Sequence, residues 1–162
     1  MSQFRVEKRR AEAEVTLSTG GTLRGCFFLA GSGPVQAVPE RVGDLLNAQS
    51  GFFPFDPSGD AGDTVLINPA HVICVRLAEP TAEARLDAGY DVAPERQVRM
   101  LLSNGARLTG AVRVYCPEGR DRLSDYARSP KSFRYLESVN GTFIVNTMHI
   151  VQLTEASRER AD

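Results

Sequence analysis

The chain of 162 residues has no tryptophan, only two histidines and only three cysteines, which are Cys26, Cys74 and Cys116. An odd number of cysteines without Cys-x-x-Cys spacing argues against a disulfide framework and against a zinc ribbon. No apolar run approaches the roughly 18 residues that a membrane-spanning helix needs. The first residues are charged and lack the apolar stretch of a secretory signal, so we expect a cytoplasmic protein without a membrane partner.

A charge excess of either sign is also missing. The 19 basic and 20 acidic residues leave a formal net charge of −1, so the whole chain does not have the basic character of a DNA-binding protein. The sequence has no phosphate-binding loop, no His-Glu-x-x-His motif, no Ser/His/Asp order and no paired carboxylates near a histidine. We therefore predict a protein that is not an enzyme and that holds no cofactor or metal.

The sequence contains an internal repeat. Four segments of the first half return in the same order in the second half, which indicates a duplication. The matched segments are 17–25 with 102–110, 41–46 with 122–127, 52–55 with 133–136, and 64–73 with 142–151. We predict a first copy within 1–78, a linker with two prolines over 79–95, and a second copy within 96–162 that ends in a short charged tail.

Each copy is predicted to be mostly β. In the first copy, β-type runs cover 14–17, 22–29, 52–55, 64–68 and 72–77. Apolar residues at i, i+3 and i+4 predict a short helix between the second and third strands, at Val42, Leu45 and Leu46 and again at Leu123, Tyr126 and Ala127. Five short strands and one helix suit a small closed barrel, because closure removes exposed strand edges. The mid-strand glycine Gly25 predicts strong bending or a close backbone approach.

Both ends of each copy resemble the two Sm signatures. The opening pattern Leu-x-x-Gly-x-x-Leu-x-Gly occurs at Leu17, Gly20, Leu23 and Gly25, and again at Leu102, Gly105, Leu108 and Gly110. The endings 65–73 and 143–151 resemble the second signature, in which a tight turn separates two hydrophobic strands. Each copy is therefore similar to an Sm-like (LSm) domain. The resemblance implies two tandem five-stranded, SH3-like small barrels and a tendency to join barrels edge to edge into rings.

The chain departs from the family at the residues that contact RNA. Sm-like RNA binders carry an Asp and an Asn in the loop after the second strand, where this chain has the helical insertion. They carry Arg or Lys followed by Gly in the last turn, where this chain has Asn68-Pro69 and Asn146-Thr147. The RNA-contacting residues of the family are therefore not carried over.

Two kinds of residue pair recur in both copies, and each has a structural and a functional interpretation. Arg41 with Asp44, and Arg122 with Asp125, are predicted to start a helix through an ion pair or a cap. The alternative is that each pair forms a recognition site. Asn68 with His71, and Asn146 with His149, are predicted to support tight turns. The alternative is that they contact a ligand, a metal or a ring neighbour. We favour the structural interpretation of both kinds.

The candidate partner surface depends on which partner is considered. For protein contacts or self-association, which we favour, the candidates are Val38 in an uncharged loop and Phe53, whose counterpart in the second copy is Arg134. RNA is the alternative, because the segment 107–135 has seven basic against three acidic residues, interleaved with aromatics. Its candidate residues are Arg120, Arg122, Lys131 and Arg134. A small-ligand-binding domain is the third possibility.

Overall fold

The computed structural model describes residues 8–31, 39–48, 51–58, 63–78, 83–115, 123–128 and 131–156. In the first half the strands are β1 (Lys8–Leu17), β2 (Thr22–Ala30), β3 (Phe53–Pro57), β4 (Val65–Ile67) and β5 (Val72–Leu77). In the second half they are β6 (Glu95–Leu102), β7 (Arg107–Arg113), β8 (Phe133–Ser138), β9 (Gly141–Asn146) and β10 (Ile150–Glu155). The helices α1 (Val42–Asn47) and α2 (Leu123–Ala127) lie between the second and third strands of their halves. None of the helices in these ranges is long and apolar enough to cross a membrane.

All ten described strands belong to one antiparallel sheet with the order β10-β6-β7-β8-β9-β5-β1-β2-β3-β4. Each half contributes five adjacent strands in the same internal order, in which its fifth strand lies beside its first. The prediction of a mostly β chain is confirmed. The hydrogen bonds, however, show a single sheet that is not closed, and two separate five-stranded barrels are not shown. Pairing of β5 with β9 removes one exposed edge from each half without any closure.

Two apolar clusters lie on this sheet, and each one takes side chains from both halves. The first is built on β1, β2, α1, β3 and β5, and it also contains Phe133 and Ile144 of the second half. The other is built on β6 to β9 with Tyr126 of α2, and it also contains Ile73 and Cys74 of the first half. Because buried apolar area is the main favourable term in folding, this exchange of side chains stabilises the halves against each other.

The segment predicted as a linker is packed in its described part. It forms a short 3₁₀ turn at Glu83–Leu86, in which Ala84 is buried. The guanidinium of Arg41 donates to the carbonyl oxygen of Glu83 at 3.0 Å. The hydroxyl of Tyr90 donates to the carboxylate of Glu137 at 2.6 Å. The segment thus contacts both halves instead of running free between them.

Glycines occupy the positions where backbone geometry requires them. Gly20 and Gly105 have φ of +96° and +86° in the turns after β1 and β6. A Cβ added to Gly25 would fall on the carbonyl oxygen of Asp56 in the neighbouring strand, and one added to Gly110 would lie 2.5 Å from the carbonyl oxygen of Glu137. The predicted close approach at Gly25 is therefore a strand-to-strand contact.

We expect Gly25→Ala to destabilise the protein by about 2 kcal/mol or more, because the added methyl group must push β3 away from β2. Gly21→Ala is the matched control, since a Cβ there meets nothing within 4 Å and φ is not positive. Urea unfolding of both variants measures the difference. Equal stability of the two variants would contradict the close packing described for β2 and β3.

Candidate functional site

The junction of the two halves is a short antiparallel pairing of β5 with β9. Cys74 lies opposite Val145, Val75 opposite Ile144, and Arg76 opposite Phe143. The pairing ends at the 3₁₀ turns Pro69–His71 and Thr147–His149, which precede β5 and β10. These turns contain the asparagine–histidine pairs that recur in the sequence, so the paired residues lie beside the junction.

Asn146 links the two turns. Its Oδ1 accepts from the backbone N–H of Met148 at 3.0 Å, within its own turn. Its Nδ2 donates to the carbonyl oxygen of Val72 in the other half at 3.0 Å, and more distantly to that of Pro69 at 3.4 Å. Asn68 makes the same bond within its turn, to the N–H of Ala70 at 3.0 Å. Asn146 therefore supports its turn and also holds the first half through a buried amide.

Each histidine is held by a serine at the end of a neighbouring strand. Ser18 Oγ lies 2.8 Å from His71 Nδ1, and Ser103 Oγ lies 2.7 Å from His149 Nδ1. His149 Nε2 is also 2.8 Å from the carbonyl oxygen of Ala70 in the other half. A carbonyl oxygen only accepts, so Nε2 of His149 carries the hydrogen of this bond. His149, like Asn146, thus joins its own half to the other one.

Sequence analysis did not single out the serines of this arrangement. The signal was present, because Ser18 and Ser103 are the second residues of the matched segments 17–25 and 102–110. Their backbone N–H groups also donate to the carbonyl oxygens of His71 and His149, each at 2.8 Å. The repeated unit is therefore a Ser–His–Asn arrangement that connects the first turn of a half to its last turn.

The two ends of the sheet, β4 and β10, correspond through the repeat to the two strands that pair at the junction. β4 corresponds to β9, and β10 corresponds to β5. Leu66 in β4 is 66% exposed, whereas its counterpart Ile144 in β9 is fully buried. Val151 in β10 is exposed, whereas its counterpart Ile73 in β5 is fully buried. The end strands β4 and β10 therefore carry apolar side chains like those of the junction, but no neighbouring strand among those described covers them.

Phe53 was predicted to be exposed, and the structure corrects this. It is only 5% exposed, and its ring stacks on Phe27 with 5.4 Å between centroids. Alternation along β3 places Phe53 and Phe55 on the same inward face. The exposed aromatic is Phe52, just before the strand, although its counterpart Phe133 is buried against the other half.

Arg41 and Asp44 form the predicted pair at the start of α1. Their side chains are 3.0 Å apart, and the Asp44 carboxylate also accepts from the backbone N–H of Arg41. Arg41 also pairs with Asp87 at 2.7 Å. Partial burial opposes ionisation of Asp44, but the hydrogen bonds from Arg41 outweigh it and lower the pKa of the Asp44 carboxyl below its ordinary value.

Several predicted site residues lie outside the described residues. These are Val38, Arg120 and Arg122, together with the side chain of Asp125. The partner surfaces and the second helix pair predicted from them are therefore not described by the structure.

A cavity of about 410 Å³ lies between the halves, and part of the basic and aromatic segment 107–135 lines it, namely Arg113, Tyr115, Tyr126, Lys131, Phe133, Arg134 and Tyr135. Arg113 lies over the ring of Tyr90, 4.2 Å from its centroid, and Arg134 lies 3.6 Å from the centroid of Tyr126. Lys131 also lines the cavity and is exposed. Within the described ranges, no group of three His, Cys, Asp or Glu side chains could hold a metal ion.

Comparison with protein families, with curated proteins and with solved structures found no match to this chain.

Replacing Asn146 with alanine should lower the free energy of unfolding by about 2–3 kcal/mol, because the buried carbonyl of Val72 loses its donor and the turn loses its acceptor. Asn104→Ala is the matched control, since Asn104 accepts only the N–H of Ala106 in an exposed turn and should lose about 1 kcal/mol or less. Thermal and urea unfolding measure both variants. A loss at Asn146 no larger than that at Asn104 would show that the cross-junction bond contributes nothing.

Proposed function

We propose that this chain is a non-catalytic assembly module that joins copies of itself edge to edge, with β10 of one copy pairing with β4 of the next. One observation carries the proposal. The internal β5–β9 junction joins two surfaces, and the free ends of the same sheet present the counterparts of those surfaces. Because the two unpaired end strands match the strands that pair at the internal junction, a second copy of the chain offers each end strand a partner.

The internal junction predicts the register of the contact between chains. Val75 faces Ile144 inside the chain, so Leu153 of one copy should face Leu66 of the next. Both internal residues are fully buried in the first apolar cluster. In the assembly, burial of exposed Leu66 against Leu153 supplies the same kind of apolar contact.

Hydrogen bonds at the turns should also form across the contact between chains. Asn146 donates to the carbonyl oxygen of Val72, and His149 donates to that of Ala70. By the same correspondence, Asn68 should donate to the carbonyl of Ile150 in the neighbouring copy, and His71 to that of Met148. Such bonds add to the specificity of the apolar contact, because a wrong partner would leave the carbonyls without donors.

The assembly is head to tail, because its two surfaces are different. Head-to-tail contacts form a ring when the rotation between subunits closes. As the finer part of the proposal, each half is an Sm-like module whose five strands curve around its apolar cluster as a small barrel that stays open between its fourth and fifth strands. The resemblance then favours a closed ring of about three chains, a pseudo-hexamer of modules.

Leu66→Asp should dissociate the assembly, because a carboxylate would be buried opposite the apolar strand of the next chain. We expect the unaltered protein to elute as a multiple of its 17.7 kDa mass in light scattering at micromolar concentration, and Leu66→Asp to elute as a monomer with an unchanged fold. Val139→Asp is the control, because Val139 is fully exposed in the β8–β9 turn, away from both end strands. A strictly monomeric unaltered protein would refute the proposal.

Cysteine cross-linking tests the register. The double variant Leu66→Cys/Leu153→Cys should form disulfide-linked chains under mild oxidation, because directly opposed residues of paired antiparallel strands have Cβ atoms about 5 Å apart. Each single variant controls for the native cysteines. Non-reducing electrophoresis separates linked from unlinked chains. Association without cross-linking of the double variant would mean that the chains meet through another surface.

A further inference from the structure

The cavity between the halves contains polar groups that its own walls do not satisfy. Tyr126 is only 2% exposed and lines the cavity, and its hydroxyl makes no hydrogen bond of normal geometry among the described residues, although the guanidinium of Arg134 lies near it. Arg134 meets this tyrosine at the face of the ring and donates to its backbone carbonyl. The Nε–H of Arg113, another lining residue, is also buried without a partner in the described part. Buried polar groups are rarely left in this state, so the cavity lacks matching groups.

The unmatched groups are mainly donors. The carboxylates of the wall are already engaged, because Asp44 and Asp87 pair with Arg41, and Glu137 accepts from Tyr90. The exposed ammonium group of Lys131 adds a further cation to the lining. A ligand that completes the site must therefore bring acceptors, and a negative charge suits it better than a positive one.

The walls also suit a flat ring. Tyr115 lines the cavity with a partly exposed ring, whereas guanidinium groups lie over one face of the other three lining tyrosines, Tyr90, Tyr126 and Tyr135. Aromatic faces attract planar groups through stacking. The volume of about 410 Å³ lies within the range of pockets that hold small organic ligands.

The polar side chains of the cavity are not part of the framework that the two halves share. Through the repeat, Tyr126 corresponds to Leu45 and Arg134 to Phe53. Arg113 corresponds to Phe28, and so is also replaced by an apolar side chain in the first half. These three polar side chains therefore belong to the second half alone, although the first half also lines the cavity. Barrel or sheet geometry does not require these side chains, because the first half folds with the same strand order without them.

From these observations we propose that the cavity binds a small ligand that joins a flat ring to one anionic group, the class that includes mononucleotides and aromatic carboxylates. The ring would stack on tyrosine, and the anionic group would accept from Tyr126, Arg113 and Lys131. The site lies within one chain, so it is independent of the proposed assembly.

Calorimetric titration with adenosine 5′-monophosphate and with 2-naphthoate tests the proposal. We expect at least one of them to bind with a Kd of about 1 mM or lower, and adenosine and inorganic phosphate to bind about tenfold more weakly than the nucleotide if that is the one bound. Leu66→Asp, which should dissociate the assembly, should bind the ligand as the unaltered protein does. Failure of both probes to bind at millimolar concentration would overturn the proposal and leave the assembly proposal intact.

Tyr126→Phe distinguishes a binding role from a structural one. The variant keeps the ring, so we expect affinity to fall about tenfold while the melting temperature of the free protein stays the same or rises, because an unsatisfied buried hydroxyl is removed. Lys131→Ala should weaken binding of the anionic probe, whereas Arg99→Ala, an exposed residue of β6 outside the cavity, should not. A lower melting temperature of Tyr126→Phe with unchanged affinity would assign Tyr126 to the fold and overturn the proposal.

Discussion

The constraint on which this architecture depends is that a β-strand leaves its outer N–H and C=O groups unpaired. Each half of the chain produces two such edges, one on its fourth strand and one on its fifth. The pairing of β5 with β9 satisfies one edge of each half inside the chain. The other two edges stay at the ends of the sheet, on β4 and β10. Natural proteins protect such edges with charge, distortion or coverage, because an apolar exposed edge favours association. Leu66 and Val151 are apolar and exposed. The register of β10 shifts at Val151, but β5 has the same shift at Ile73 and still pairs with β9, so this distortion does not block pairing. This is the physical basis for the proposed assembly.

Duplication preserved the framework of the two halves and allowed their side chains to differ. The Ser–His pairs and the asparagines of the last turns are present in both halves, with nearly identical distances. These groups satisfy backbone atoms, and backbone geometry is the same in both copies. The side chains at Tyr126 and Arg134 differ from their counterparts Leu45 and Phe53. The bond from Arg134 to the backbone carbonyl of Tyr126 therefore has no equivalent in the first half. Divergence at positions that the framework does not constrain is where a new binding property can arise.

Much of the local structure followed from the sequence, because it depends on local patterns. The helix position between the second and third strands, the strand Val72–Leu77 and the glycine turns were all predicted. The first strand was predicted too short, starting at 14 instead of Lys8. The inward positions of its missed part are Ala11 and Ala13, and alanine is a weak indicator of strand structure.

The unforeseen single sheet and the different exposure of Phe52 and Phe133 have a common cause. Which edges meet is decided by contacts between distant residues, and no local pattern encodes them. Phe133 is buried because the other half covers it, whereas the same position in the first half, Phe52, lies where no second unit covers it within the chain. Comparison of the two copies shows that both positions hold the same residue type. It does not predict which of the two side chains another part of the chain will cover. The cavity was missed for the same reason, since α1 and the segment around Asp87 bring their side chains to it from outside 107–135.

Covalent linkage of the halves changes how strong the contact between chains must be. Inside the chain, β5 and β9 belong to one molecule and meet at a high effective concentration, so their junction forms without loss of translational freedom. The proposed contact of β10 with β4 of another copy must overcome that loss at each encounter. In a closed ring, the last contact forms within an assembly that already exists, and it therefore gains the same advantage of effective concentration. An open chain of copies would always retain two uncovered apolar ends. Closure is thus the arrangement in which modest contacts between short strands suffice and no edge remains exposed.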